Sequence, residues 1–161
     1  MVTKFLAPFL LLFLITRCGP TEEVPENSDS KIPKTSYARV AIGTSGHSIE
    51  LITGFMIEKQ ESASFEVYYF KPTDTTKTET EAGIYFGPRP DTSAPSTEYT
   101  KKIIPGTFMG NSVNWTEYVT SKYTQREVFV DATPDKKIHC WCYSNDPAVL
   151  EKLWEMVKTI K

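Results

Sequence analysis

Residues 138–161 read I-H-C-W-C-Y-S-N-D-P-A-V-L-E-K-L-W-E-M-V-K-T-I-K, and the change of period inside this stretch decides the fold. From Ile138 to Tyr143 the side chains alternate, with Ile138, Cys140 and Cys142 on one side and His139, Trp141 and Tyr143 on the other, the period of a β-strand. Beyond the polar Ser144-Asn145 the apolar residues Leu150, Leu153, Trp154, Val157 and Ile160 recur at i, i+3, i+4, i+7 and i+10, which is one stripe of an α-helix. Asn145 or Asp146 is placed to accept the free amide hydrogens of its first turn. Pro147 suits the first helical position, where its missing N–H removes no bond. A strand that runs into an amphipathic helix implies a sheet for that helix to cover.

Working back toward the N-terminus, the pattern is that of strands. Tyr37 to Ile42, then Ile49 to Ile57 after the turn-like Gly43-Thr44-Ser45-Gly46, predict a first hairpin. Phe65 to Phe70 predicts a third strand, Thr73 to Glu81 a polar loop, and Gly83 to Phe86 a short fourth strand. Thr107 to Met109 and Val113 to Val119 flank Gly110-Asn111-Ser112, residue types that tolerate the positive φ of a tight turn, and Val113 and Trp115 share a face. Tyr123 to Val130 and Lys137 to Tyr143 are joined by Thr133-Pro134-Asp135. The fold class expected is α+β: a mostly antiparallel sheet of about seven strands with a C-terminal amphipathic helix packed on it.

The final strand, short polar turn and terminal D-P-x-x-L-x-x-L-W-x-x-V-x-T-I-K helix resemble the end of the Mog1/PsbP-like family. That resemblance implies an α/β/α sandwich. Members of that fold serve unrelated tasks and share no catalytic motif, so the likeness implies architecture and transfers no functional residue.

The N-terminus addresses the chain. Lys4 precedes an unbroken apolar run of eleven residues, Phe5 to Ile15, too short for the roughly twenty that span a bilayer as a helix and of the length found in a secretory signal. Its continuation, Thr16-Arg17-Cys18, resembles a bacterial lipoprotein signal, in which the cysteine after cleavage carries the lipid. Arg17 stands where that pattern ordinarily has a small residue. The reading is a signal peptide over residues 1–17 with Cys18 as the lipidation site; an ordinary secretory signal, giving a secreted soluble protein, is the alternative. Residues 18–35 form a tether. Their stretch Gly19 to Lys34 holds three prolines, four acids and two lysines, too little apolar surface to offset chain entropy. Residues 36–161 remain as a single domain, long enough to build a core without a disulfide framework or metal. Cleavage removes Lys4 and Arg17, which takes the formal charge from −2 to −4. Lys101-Lys102 and Lys136-Lys137 are isolated pairs, so no nucleic-acid partner is expected.

Reaction centres are harder to find. Two residues apart on a strand, Cys140 and Cys142 have Cβ atoms roughly 6 to 7 Å apart, too far for a disulfide. They read as buried thiols, with His139 on the other side and no second cluster to complete four metal ligands. Gly43 to His47 lacks the spacing of a nucleophile elbow. His139 has no carboxylate near it in sequence, so it reads as a packed histidine rather than a general base. No catalytic, metal or cofactor residue is assigned. The stiff connection Gly87 to Pro95 (G-P-R-P-D-T-S-A-P) is too long for a hairpin loop, and long ordered loops often carry function; Arg89 is its candidate contact residue.

The expected function is a non-catalytic interaction module of the cell envelope. It is held at the membrane through an N-terminal lipid and presents a sheet face or the Gly87 to Pro95 loop to a protein partner. The competing class is a small-ligand carrier or minor enzyme with a pocket between helix and sheet. A pocket lined by convergent polar groups favours that class; a flat aromatic face favours a protein partner.

Overall fold

A central strand flanked on both sides organises the molecule. The computed structural model describes residues 37–44, 46–88, 90 and 94–161; Cys18, Arg89 and the signal and tether lie outside the described residues. Among the described residues nine strands precede one helix: β1 (Tyr37–Ile42), β2 (His47–Ile52), β3 (Phe55–Glu61), β4 (Glu66–Pro72), β5 (Thr80–Gly87), β6 (Thr100–Phe108), β7 (Asn111–Val119), β8 (Thr124–Thr133), β9 (Lys136–Ser144) and α1 (Pro147–Lys158). Seven of them form an antiparallel sheet in the order β3-β4-β5-β9-β8-β7-β6, while β1 and β2 pair only with each other. The α+β class follows. The strand that opened the sequence reading, β9, is the middle of the sheet, and α1 lies across it.

Several expected boundaries are corrected. Ile49 to Ile57 is two strands, because Gly54 at φ 89 turns the chain between the hairpin and the main sheet. Thr80 and Glu81 belong to β5 rather than to a loop. β6 starts at Thr100, well before the expected Thr107, because an edge strand whose outer side meets water can carry Lys101, Lys102 and Pro105. The turn after it is Met109-Gly110, not Gly110-Asn111-Ser112: Phe108 pairs with Asn111, and both turn residues have positive φ, 50 and 77, as a two-residue hairpin turn requires.

Asp146 caps α1 through Oδ1, which accepts the amide hydrogens of Ala148 and Val149 at 2.8 and 3.4 Å. Leu150, Leu153, Met156 and Val157 are buried under it, which contributes roughly 6 to 12 kcal/mol as an upper bound. The helix ends two residues before the apolar stripe does. Thr159 closes it, Ile160 is buried beyond it, and Lys161 exchanges backbone hydrogen bonds with Ser48 of β2 at 2.9 and 3.2 Å. Ile42, Ile49 and Ile52 of the hairpin join the same core.

Candidate functional site

Strand register sorts the side chains of the sheet into two unlike faces. Toward the helix one row runs Phe70, Ala82, Cys142, Arg126, Glu117, Lys102 across six strands. Its first half is apolar. Cys140 and Cys142 are fully buried free thiols on this face, and burial pushes both up in pKa, Cys142 to about 12. Its second half is an ionic chain: Glu117 accepts from Arg126 at 2.7 Å and meets Lys102 at 2.8 Å, and Arg126 reaches Glu151 of α1 at 2.7 Å. Burial pushes the Glu117 carboxyl up, yet the hydrogen bonds from Lys102 and Arg126 outweigh it and hold the group below its ordinary value. Trp154 lies 4.2 Å from both the Arg126 guanidinium and the Lys158 ammonium, with its ring edge-on to Trp115. These contacts are structural, joining helix to sheet.

The opposite face is aromatic. Its central row is Tyr69, Gly83, Trp141, Glu127, Thr116, Ile103, and the rows on either side carry Val67, Tyr85, His139, Phe129 and Glu81, Tyr143, Gln125, Tyr118. Gly83 makes room for an indole on this surface. A Cβ there would stand 2.3 Å from Trp141 Cζ2, so the indole rests directly on the glycine backbone, and Tyr69 meets it edge-on with centroids 5.9 Å apart. Tyr85 lies over Gly87 in the same way and stacks on Phe65 at 5.7 Å. Phe129, 40% exposed, stacks on His139 at 4.1 Å with the rings nearly parallel.

Beneath the aromatics sits a buried polar chain. Tyr118 donates its hydroxyl to Glu127 at 2.9 Å, and Glu127 shares a 3.0 Å hydrogen bond with His139 Nε2. Burial, with Glu127 beside it, pushes the Tyr118 hydroxyl up to about 12. The carboxylate that the sequence did not place near His139 is therefore Glu127. It arrives through the β8–β9 pairing, in which Phe129 faces His139 and Glu127 faces Trp141. Counting outward from the Pro134-Asp135 turn would set Glu127 against Cys142 on the other face; the β-bulge between Asp131 and Thr133 shifts the register by one and brings Glu127 to His139. His139 is 4% exposed, with Phe129 stacked on its ring and the Trp141 ring centroid 5.1 Å away.

The connection from β5 to β6 passes three intervening strands to the far edge. At its described end Pro95 is buried and Tyr99 packs edge-on against Tyr118, which places that end on the aromatic face. Among the described residues no group of three or more His, Cys, Asp or Glu side chains is disposed to hold a metal ion, and no helix is long and apolar enough to cross a membrane. Comparison with protein-family models, with curated proteins and with solved structures finds no match.

Proposed function

We propose that the protein is an exported, lipid-anchored module of the cell envelope that docks a protein partner on the aromatic face of its sheet, without catalysis. The observation that carries this reading is the array of half-buried Tyr69, Trp141 and Tyr85 and exposed Phe129 on the face opposite the helix. Aromatic side chains supply large contact area at low conformational cost and are enriched in interface cores. Size is compatible: seven strands at about 4.8 Å spacing and about 25 Å long make a face near the roughly 800 Å² that one partner contributes to a stable interface. Anchoring rests on the Phe5 to Cys18 pattern, and the resemblance of β9 and α1 to the Mog1/PsbP-like ending supports a distant architectural kinship in that part of the chain.

Two arms test the reading separately. Metabolic labelling with a fatty-acid analogue should mark the wild type and not Cys18→Ser, which should leave the membrane fraction; an unlabelled, wholly soluble wild type would remove the anchor. Tyr69→Glu with Phe129→Glu should abolish co-purification of envelope proteins at an unchanged melting temperature. Retained co-purification would remove the docking face.

A further inference from the structure

We propose that the open edge of β1 pairs antiparallel with β1 of a second copy of this chain, joining two β1–β2 hairpins into one continuous sheet. This contact lies on the hairpin and is independent of the aromatic face.

A two-stranded hairpin is a marginal sheet, and a further strand is what ordinarily makes it stable. β1 pairs only with β2, and beneath their turn lies a cavity of about 520 Å³ rather than another strand. The far edge of β2 is already covered. Ser48 exchanges backbone hydrogen bonds with Lys161 at 2.9 and 3.2 Å, and the Glu50 amide hydrogen goes to Thr159 Oγ1 at 2.9 Å. Because backbone groups of a strand point alternately to its two sides, β2 bonds β1 through His47, Ile49 and Leu51, which stand opposite Ile42, Val40 and Ala38. Tyr37, Arg39 and Ala41 therefore turn their N–H and C=O groups outward, where no backbone hydrogen bond among the described residues meets them.

The sequence of β1, Y-A-R-V-A-I, fits a copy of itself. A twofold axis at Val40 sets Val40 against Val40, Ala38 against Ile42 and Arg39 against Ala41 of the second copy. Arg39 and Ala41 are the residues with outward backbone groups, so each such pair exchanges both N–H···O=C bonds. No like charges oppose one another. Arg39 is the only charged residue of the strand, and Glu50 of its own hairpin matches it. The edges of the main sheet are unlike this one: β3 carries Glu58, Lys59 and Glu61, and β6 carries Lys101, Lys102 and Pro105, the charges and proline that discourage strand addition. A twofold at the middle of β3 would set Glu58 on Glu58 or Lys59 on Lys59.

So short an edge makes a contact below the roughly 1,200 Å² of standard interfaces, so trapping in place reads it better than dilution. In cells producing the full chain, a photo-crosslinking amino acid at exposed Ala38 should give a species at twice the monomer mass, crosslinked to β1 of the second copy. Ala41→Lys, which faces Arg39 of the second copy with a like charge, should cut the yield at least fivefold. Ala41→Glu, which faces it with the opposite charge, should keep the yield. Ala41 is exposed, so the melting temperature of both variants should match wild type. No species at twice the mass, a crosslink only to a different protein, a yield indifferent to Ala41→Lys, or equal loss with Ala41→Glu would overturn the proposal. Should the Ala38 replacement fail to fold, oxidation of Val40→Cys decides the matter: a disulfide mapped to residue 40 of both copies supports the pairing, and its absence overturns it.

Discussion

Gly83 governs the aromatic face, because the missing Cβ is the space that the Trp141 ring occupies. Gly83→Ala should lift the indole, costing about 1 to 3 kcal/mol as an overpacked contact, with a shifted tryptophan emission maximum. A denaturant midpoint and emission spectrum equal to wild type would show that Trp141 does not lie on Gly83. On the other face, Glu117 gives stability a pH signature. Its folded value lies below the ordinary 4.5, so its contribution is complete above the ordinary carboxyl range and is lost as pH falls through the folded value. Glu117→Gln, which leaves the buried Arg126 short of a partner, should cost about 3 kcal/mol at neutral pH, and the gap from wild type should narrow in acid below that range. A gap constant across pH would contradict the assignment. Single residues were partly legible in the sequence: alternation placed Cys140 and Cys142 on the buried side, whereas the Glu127–His139 bond depends on register, and register is a property of two strands.

At the scale of elements, the capping signals of Asp146 and Pro147 and the 3.6-residue period made α1 readable to within a turn. Met156, buried beside Val157, fell outside the stripe as read, and Ile160 is buried past the helix end. Strands with one wet edge were the least legible: β6 looks like a charged loop in isolation and is a strand because β7 pairs with it along its whole length. Gly54 carried the signal for splitting β2 from β3, hidden because apolar residues continue on both sides of it. The docking of α1 centres on Trp154, which has two cations 4.2 Å from its ring centroid and lies edge-on to Trp115. Trp154→Ala should cost about 3 kcal/mol, seen as a lowered denaturant midpoint at unchanged slope. A midpoint that stays in place would mean that the helix is held elsewhere.

Among the described residues, one layer of helix and hairpin covers one side of the sheet and aromatic side chains line the other. The α+β class was legible because the period changes once, from two to 3.6, at Ser144. The separation of the β1–β2 hairpin from the main sheet, and the cavity beneath its turn, were not, since three turns distant in sequence build that cavity. We propose that the aromatic face, rather than the helix side, meets the partner. A photo-crosslinking amino acid placed at exposed Phe129, or at exposed Lys152 on α1, in the anchored protein in its native envelope tests it directly. A discrete crosslinked protein species is expected from position 129 and none from 152; crosslinking from 152 with none from 129 would contradict docking on the aromatic face.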